Sequence, residues 1–405
     1  MRLALLVVYY PPSRASAAVQ MSDLAASFTR QGHEVTVFTT SPEAPAALVE
    51  EVAGVRVVRV PTGRVKEMGL LKRAISEIFM SLALWRGARR CGVRVEDFDG
   101  VIWYSPTIFL APFVAWIKRR SRARAYLILR DIFPQWAVDA GVMRRGPAYY
   151  FFRVFERFQY RVADVIGVQS PANLAQVRAD THGRRRLEVL YNWIDVDRTE
   201  PLSSGLVERH GLAGKRILVY GGNMGVAQDM DNLVRLAERL RGHGGVALLL
   251  VGAGSDVERL RRVLSERALV NVVLVDEVDP DEFRAVLRRC HVGLITLDRR
   301  LTTHNIPGKL LAYLEAGLPV AASVNPGNDL LTIIQSSGAG IGFVNGNDEE
   351  FAQATLALAC DEARRADMSN AARALLAERF SIESVTGQLL SALEDPVSLE
   401  PAAAA

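Results

Sequence analysis

The sequence predicts an α/β protein made of two doubly wound parallel-sheet domains that face each other across a cleft. Two observations give the class and a third gives the number of domains. Apolar runs alternate with amphipathic stretches from end to end of the 405 residues, the pattern of parallel strands covered by helices. Those runs are rich in Val, Ile, Leu and Tyr and show little alternation, as strands buried on both faces require. The same grammar restarts after "YNWIDVDRTEPLSSG", and the chain is too long for one ordinary core. The expected division is 1–195 and 196–380. A C-terminal helix and flexible tail should occupy 381–405, with a return of that helix to the first domain as one option.

In the first half, strands are expected at "LALLVVYY", "EVTVFTT", "VRVVRV", "GVIWYS", "RAYLILR", "DVIGVQS" and "LEVLYN". Helices should lie between them, around 17–31, 70–90, 107–119, 146–162 and 171–180. Pro, Ser, Gly and charged residues crowd 193–214, which marks the connection between domains. The second half reads as strands at "KRILVYGG", "VALLLVGAG", "NVVLVDEV", "VGLITLD", "PVAASV" and "AGIGFVN", again with helices between. In such sheets ligands bind outside the carboxyl ends of the strands, so the loops that follow strands are the ones to search.

Composition removes several classes. At 49% hydrophobic and 23% charged, the chain reads as a packed globular protein and not as a disordered one. The cysteines Cys91, Cys290 and Cys360 are isolated, and the six histidines lack metalloprotease spacing, so neither zinc nor a redox dithiol is expected. "MRLALLVVYYPP" reads as a buried first strand and not as a secretory signal. No run reaches the roughly 18 uncharged apolar residues of a membrane span. A cytoplasmic protein, soluble or attached to the inner face of a membrane, is the expectation.

Five loops could carry chemistry. In "YYPPSRASAAVQ" small residues permit close backbone approach, and Ser16 either caps the next helix or donates to an anion. No GxGxxG follows any strand, which disfavours a nicotinamide dehydrogenase. In "LILRDIFPQW" the pair Arg130–Asp131 either positions a hydroxyl or phosphate or forms a rim salt bridge. In "LVYGGNMGVAQDM" the glycines around Asn223, Gly222 among them, are expected to aim backbone N–H groups at a ligand, with Gln228 nearby. "VGAGSD" is a weaker version of the same arrangement. The segment "LDRRLTTHNIPGKLLAYLEAGLPV" sets Arg299, Arg300, His304 and Lys309 around a helix whose start is marked by Pro307 and Gly308. A lysine is disfavoured at the positive end of a helix unless an anion sits beside it.

Together "YYPP…GHEVTVFTT", "YNWIDV", "YGGNMGVAQ" and "HNIPGKLLAYLEAGLPVAASVNPGND" resemble family 4 of the retaining glycosyltransferases, which have the GT-B fold of two Rossmann-like domains. "RDIFPQWAVDAG" and "TTHNIPGKLLAYL" look most like the N-acetyl-L-fucosamine transferases of O-antigen and capsule assembly. The resemblance implies transfer of a sugar from a nucleotide-diphosphate donor, with UDP-sugars favoured, and no cofactor or essential metal. It also exposes departures. The family's Arg and Lys after the second-domain glycines fall on Asn223 and Gln228, and its two glutamates fall on His304 and Ala312. Glu315, one turn beyond Ala312, is not an equivalent position, although it could substitute in part.

The donor's charge is therefore expected to be met by Lys309 and one of Arg299 and Arg300. Ser16, Gly222, Asn223, Gln228, His304, Asn305, Gly308 and Glu315 complete the candidate donor set. Lys309 and Asn223 are assigned to the leaving group and Asp131 to the acceptor hydroxyl. Arg130, Arg144, Arg145, Arg153 and Arg157 mark an acceptor and membrane side, where "RRGPAYYFFRVFERFQYR" alternates aromatic and basic faces. Lys118, Arg119, Arg120, Arg122 and Arg124 form a second basic cluster. Such surfaces suit an anionic bilayer and a polyprenyl-diphosphate-linked saccharide, unless the phenylalanines face the core and the arginines are merely solvated. A sugar-nucleotide epimerase is the enzymatic alternative. Nucleic-acid binding is disfavoured because no helix-turn-helix, zinc or RNA-binding signature is present.

Overall fold

The structure is a computed structural model that describes residues 1–13, 15–41, 44–62, 77–105, 107–139, 143–196, 204–301 and 306–395. His304 and Asn305 lie outside the described residues, as do 70–76 of the expected 70–90 helix. Two compact units emerge: Met1–Ile194 with the segment from Ile382 onward, and Asp195–Ser381.

The first unit holds an eight-stranded sheet: β1 (Arg2–Leu6), β2 (Glu34–Ser41), β3 (Leu48–Val52), β4 (Val55–Pro61), β5 (Gly100–Tyr104), β6 (Arg124–Leu129), β7 (Val165–Val168) and β8 (Arg186–Val189). Their order across the sheet is β3-β4-β2-β1-β5-β6-β7-β8. All pairs are parallel except β3–β4, an antiparallel hairpin at the edge. Both faces are covered, which is why these strands do not alternate. Ala4 and Leu6 join one apolar cluster with Leu84, Phe113 and Ile117 from the helices Met80–Arg90 and Ala111–Ser121. Leu3 and Leu5 join the opposite cluster with Met21, Leu24 and Phe28 of the helix Ser16–Arg30. The C-terminal helix Ile382–Glu394 packs on that second face through Ile382, Val385 and Leu389.

The second unit holds a six-stranded parallel sheet of β9 (Arg216–Gly221), β10 (Val246–Val251), β11 (Val272–Val275), β12 (Val292–Thr296), β13 (Val320–Val324) and β14 (Gly340–Val344). Its order is β11-β10-β9-β12-β13-β14, the doubly wound arrangement in which the chain reverses direction beside the first strand. β9 and β12 are neighbours there, with Gly293 paired to Val219, so the loops leaving their carboxyl ends diverge and leave a crevice. The equivalent reversal in the first unit lies between β1 and β5.

Candidate functional site

A cavity of about 630 Å³ occupies the crevice of the second unit. The loops after β9, β10, β11 and β12 line it, together with the start of the helix Lys309–Glu315. That helix is locked onto the sheet by Tyr313, whose buried hydroxyl accepts the Gly221 N–H at 3.0 Å and lies 3.2–3.3 Å from the carbonyls of Leu294 and Val219. Lys309 sits one turn earlier on the same helix face, and this carries its amine to the ring of Tyr220, 3.4 Å from the centroid. The Tyr220 hydroxyl in turn donates to the Asn223 carbonyl at 2.6 Å, tying the ring to the glycine loop.

The Lys309 amine is enclosed although part of its stem is exposed, and it has no hydrogen-bond partner among the described residues. Burial disfavours its charged form and brings its pKa down to about 7. A ring face is a weak partner for an ammonium, well short of a carboxylate or a set of carbonyls. Lys309 and Glu277 are the charged side chains in the described lining.

The glycine loop behaves differently from expectation. Its amides are mostly engaged within the protein: Gly222 N–H donates to the Val251 carbonyl at 2.9 Å and Met224 N–H to that of Ala253 at 2.8 Å. Gly225 N–H and the Asn223 side-chain amide both donate to Gln228 Oε1, at 3.1 and 2.9 Å. Two of the glycines answer packing demands. A Cβ on Gly221 would strike the Phe283 ring, and one on Gly252, at φ +152°, would strike the Gly222 carbonyl. The run of glycines therefore reflects close approach of two loops more than a cradle of free amides. Asn223 and Gln228 still line the cavity, but they brace each other.

Of the predicted donor residues, Gly222, Asn223, Gln228, Gly308 and Lys309 are brought together in this lining. The arginines are not. Arg300 is largely exposed and folds back on Asp298, donating its backbone N–H and guanidinium to that carboxylate, whose pKa is held below its usual value by the contact. Arg299 lies beside Gly346. Glu315 points to Arg284, 3.7 Å away, and not into the cavity that its neighbour Ala312 lines. Ser16 belongs to the other unit and does not cap its helix: the cap position is Ala15, and Ser16 is an exposed first-turn residue. Tyr220, Glu277 and Phe283 were missed. Glu277 and Phe283 follow β11 and were within reach of the rule that favours loops after strands, whereas Tyr220 reads as one more apolar strand residue.

In the first unit Arg130 is buried, donating to the carbonyls of Leu190 (2.6 Å) and Tyr191 (3.1 Å) with its guanidinium 5.3 Å from the Trp193 ring. It staples the chain beyond β8 and presents no membrane contact. Asp131 beside it is half-buried. Burial raises its pKa and the Arg130 charge opposes the rise. Arg153 is also structural, held by Glu156 and Asp180. Within the second basic cluster, Lys118 bonds to Asp164 at 2.6 Å and Arg120 faces Glu96. Arg144, Arg145 and Arg157 are exposed. On the helix Pro147–Val162, Phe155 packs on Phe109, and Phe151 stays partly outside. Among the described residues, no helix is long and apolar enough to cross a membrane.

Residues 16–193 match the family described as Glycosyl transferase 4-like domain, and residues 215–361 match Glycosyl transferases group 1. The chain is a glycosyltransferase. It is 24% identical over 348 residues to WcaI of Escherichia coli (strain K12), a protein named for glycosyl transfer in colanic acid biosynthesis, covering 78% of this chain and 82% of that one. It is also 24% identical to WbjE of Pseudomonas aeruginosa, named as a glycosyltransferase, over 67% of this chain and 68% of that one. Among solved structures it resembles sucrose-phosphate synthase from Thermosynechococcus elongatus, with TM-score 0.69, 16% identity and coverage of 96% and 97%. Anabaena Alr3699/HepE in complex with UDP and glucose gives TM-score 0.66 at 16% identity, covering 97% and 99%. WaaG, a glycosyltransferase involved in lipopolysaccharide biosynthesis, gives 0.65 at 14%, covering 97% and 100%. The fold of the glycosyltransferase is thus GT-B, and two of the proteins it resembles, WcaI and WaaG, are named for colanic acid and lipopolysaccharide biosynthesis. They do not favour the epimerase alternative.

Proposed function

We propose that this glycosyltransferase moves a sugar, N-acetyl-fucosamine or a related N-acetylhexosamine, from a nucleotide-diphosphate donor to a lipid-linked saccharide during surface polysaccharide synthesis, with retention at the anomeric carbon. UDP-sugars are the favoured donors, because HepE, which shares the fold, was solved with UDP. One observation supports the reading above the others: the Lys309 amine, enclosed and without a hydrogen-bond partner among the described residues, lies in the lining of the switch-point cavity. A diphosphate leaving group accumulates negative charge in the transition state, and a preorganised cation in a sheltered site stabilises it. Lys309 would take that role, with Asn223 fixing the loop beside it. Glu277 offers the cavity a carboxylate for nucleoside hydroxyls in place of the residue that the Ala312 position lacks. Asp131 would orient the acceptor hydroxyl. The exposed Arg144, Arg145 and Arg157 would face an anionic membrane surface that presents a polyprenyl-diphosphate acceptor.

A thermal-shift panel of UDP-, GDP- and dTDP-sugars tests the donor, followed by product analysis with and without a polyprenyl-diphosphate saccharide. Stabilisation by a UDP-sugar and a product formed only with the lipid acceptor are expected. Isomerised nucleotide sugar formed without acceptor would overturn the reading.

A further inference from the structure

The first unit has a second cavity, of about 400 Å³, for which the transfer reaction has no role. It lies where the helices Pro147–Val162 and Pro171–Thr181 end, and its lining includes Arg157, Arg161, His182, Arg184, Arg185 and Asp180. Two of these charges are accounted for. The Asp180 carboxylate is engaged by Arg153. Arg185 donates to the carbonyls of Tyr160 (3.1 Å) and Arg161 (2.8 Å), as a cation at a helix C-terminus should. The guanidinium groups of Arg157, Arg161 and Arg184 have no ion-pair or hydrogen-bond partner among the described residues. Three such groups around one concavity repel one another, and a multiply charged oxyanion relieves that repulsion through charge-assisted hydrogen bonds.

The same helix shows what carries the anion. Positions 150, 154, 157 and 161 fall on one face by helical spacing. Its C-terminal half is basic, and its N-terminal half exposes Tyr150 (64%) and Val154 (66%), with Phe151 (43%) alongside. At about 1.5 Å per residue the stripe is on the order of 16 Å long, more than one headgroup spans. A soluble anion would use the basic half and leave three large apolar side chains in water. A bilayer surface uses both halves.

We propose that this cavity holds the phosphate of an anionic phospholipid headgroup while Tyr150, Phe151 and Val154 lie against the acyl boundary. The proposal rests on the reading that the glycosyltransferase works at a membrane surface, and it gives that attachment a site. The test is flotation of the full-length protein with phosphatidylcholine vesicles and with vesicles that also contain phosphatidylglycerol. Binding should require phosphatidylglycerol and weaken with salt. The combined Arg157→Gln, Arg161→Gln and Arg184→Gln variant should lose roughly fivefold in affinity per arginine, on the order of a hundredfold in all. Should that variant misfold, Arg157→Gln alone is expected to lose about fivefold. Tyr150→Ser with Val154→Ser should weaken binding even at high salt. Wild-type binding by the triple variant would overturn the proposal. So would equal binding to vesicles with and without phosphatidylglycerol, because the cavity would then play no part in attachment. Stabilisation by the nucleotide sugar is read in parallel. Its absence in the wild type, with vesicle binding still dependent on the arginines, would sink the donor reading and leave the headgroup site standing.

Discussion

Arg130 in the first unit and Lys309 in the second invite comparison. Both follow from sequence signals near strand ends, and both bring a cationic group into a buried environment. Arg130 meets two carbonyls and the Trp193 ring, so its charge is matched from within the protein. Lys309 meets a tyrosine face and has no hydrogen-bond partner among the described residues. A buried cation with partners is architecture, whereas one without partners costs stability until something external completes it. The contrast separates a residue that holds the fold from one that waits for a ligand.

The sharpest way to break this comparison is to remove each cation. Arg130→Met should cost about 2–4 kcal/mol in urea unfolding, since it removes the guanidinium's hydrogen bonds to the Leu190 and Tyr191 carbonyls. Lys309→Met should act in the opposite direction on stability, raising the melting temperature of the ligand-free protein by a few degrees (~2–4 °C). The same change should weaken donor binding by roughly 10- to 100-fold in a titration with the nucleotide sugar. A Lys309→Met protein that is destabilised and binds donor normally would make the two residues alike.

Proton linkage sharpens the comparison further. The folded-state pKa of Lys309 is about 7 against an ordinary 10.5, so between those values the unfolded chain holds a proton that the folded chain lacks. The contribution of this group to stability therefore rises with pH across that window and is least favourable below about 7. The stabilisation by Lys309→Met should accordingly shrink as pH climbs. A bound diphosphate would keep the amine protonated, so donor binding should take up a proton and its Kd should increase as pH rises above about 7. A flat Kd from neutral to mildly alkaline pH would show that the amine does not meet the phosphates. The smallest effect is expected from Arg300→Gln, with less than roughly a twofold change in donor KM, because its guanidinium is engaged by Asp298 in an exposed pair.

Much of the architecture was legible in the chain. Long apolar runs without alternation announce strands covered on both faces, and the restart of that pattern announces a second sheet. The strand β3 was not legible, because two successive glutamates break its apolar run: Glu51 is exposed at the edge of the sheet and Glu50 pairs with Arg59. The helix that begins at Lys309 was anticipated from Pro307 and Gly308, and the departure of Asn223 and Gln228 from the usual cations was visible by resemblance.

What the sequence by itself determined is the order of elements, the two-sheet plan and the short group of loops in which a ligand could sit. Which charges are available was decided only by tertiary structure. Arg299, Arg300 and Lys309 are near neighbours along the chain, yet Arg300 turns to Asp298, Arg299 to Gly346, and only Lys309 lines the cavity. Local composition places a cation within a few ångströms of a site. Whether that cation is already paired depends on the course the folded loop takes, which turns Arg300 back on Asp298 and Lys309 onto the Tyr220 ring. Pairing is what separates a structural charge from one left open to a substrate.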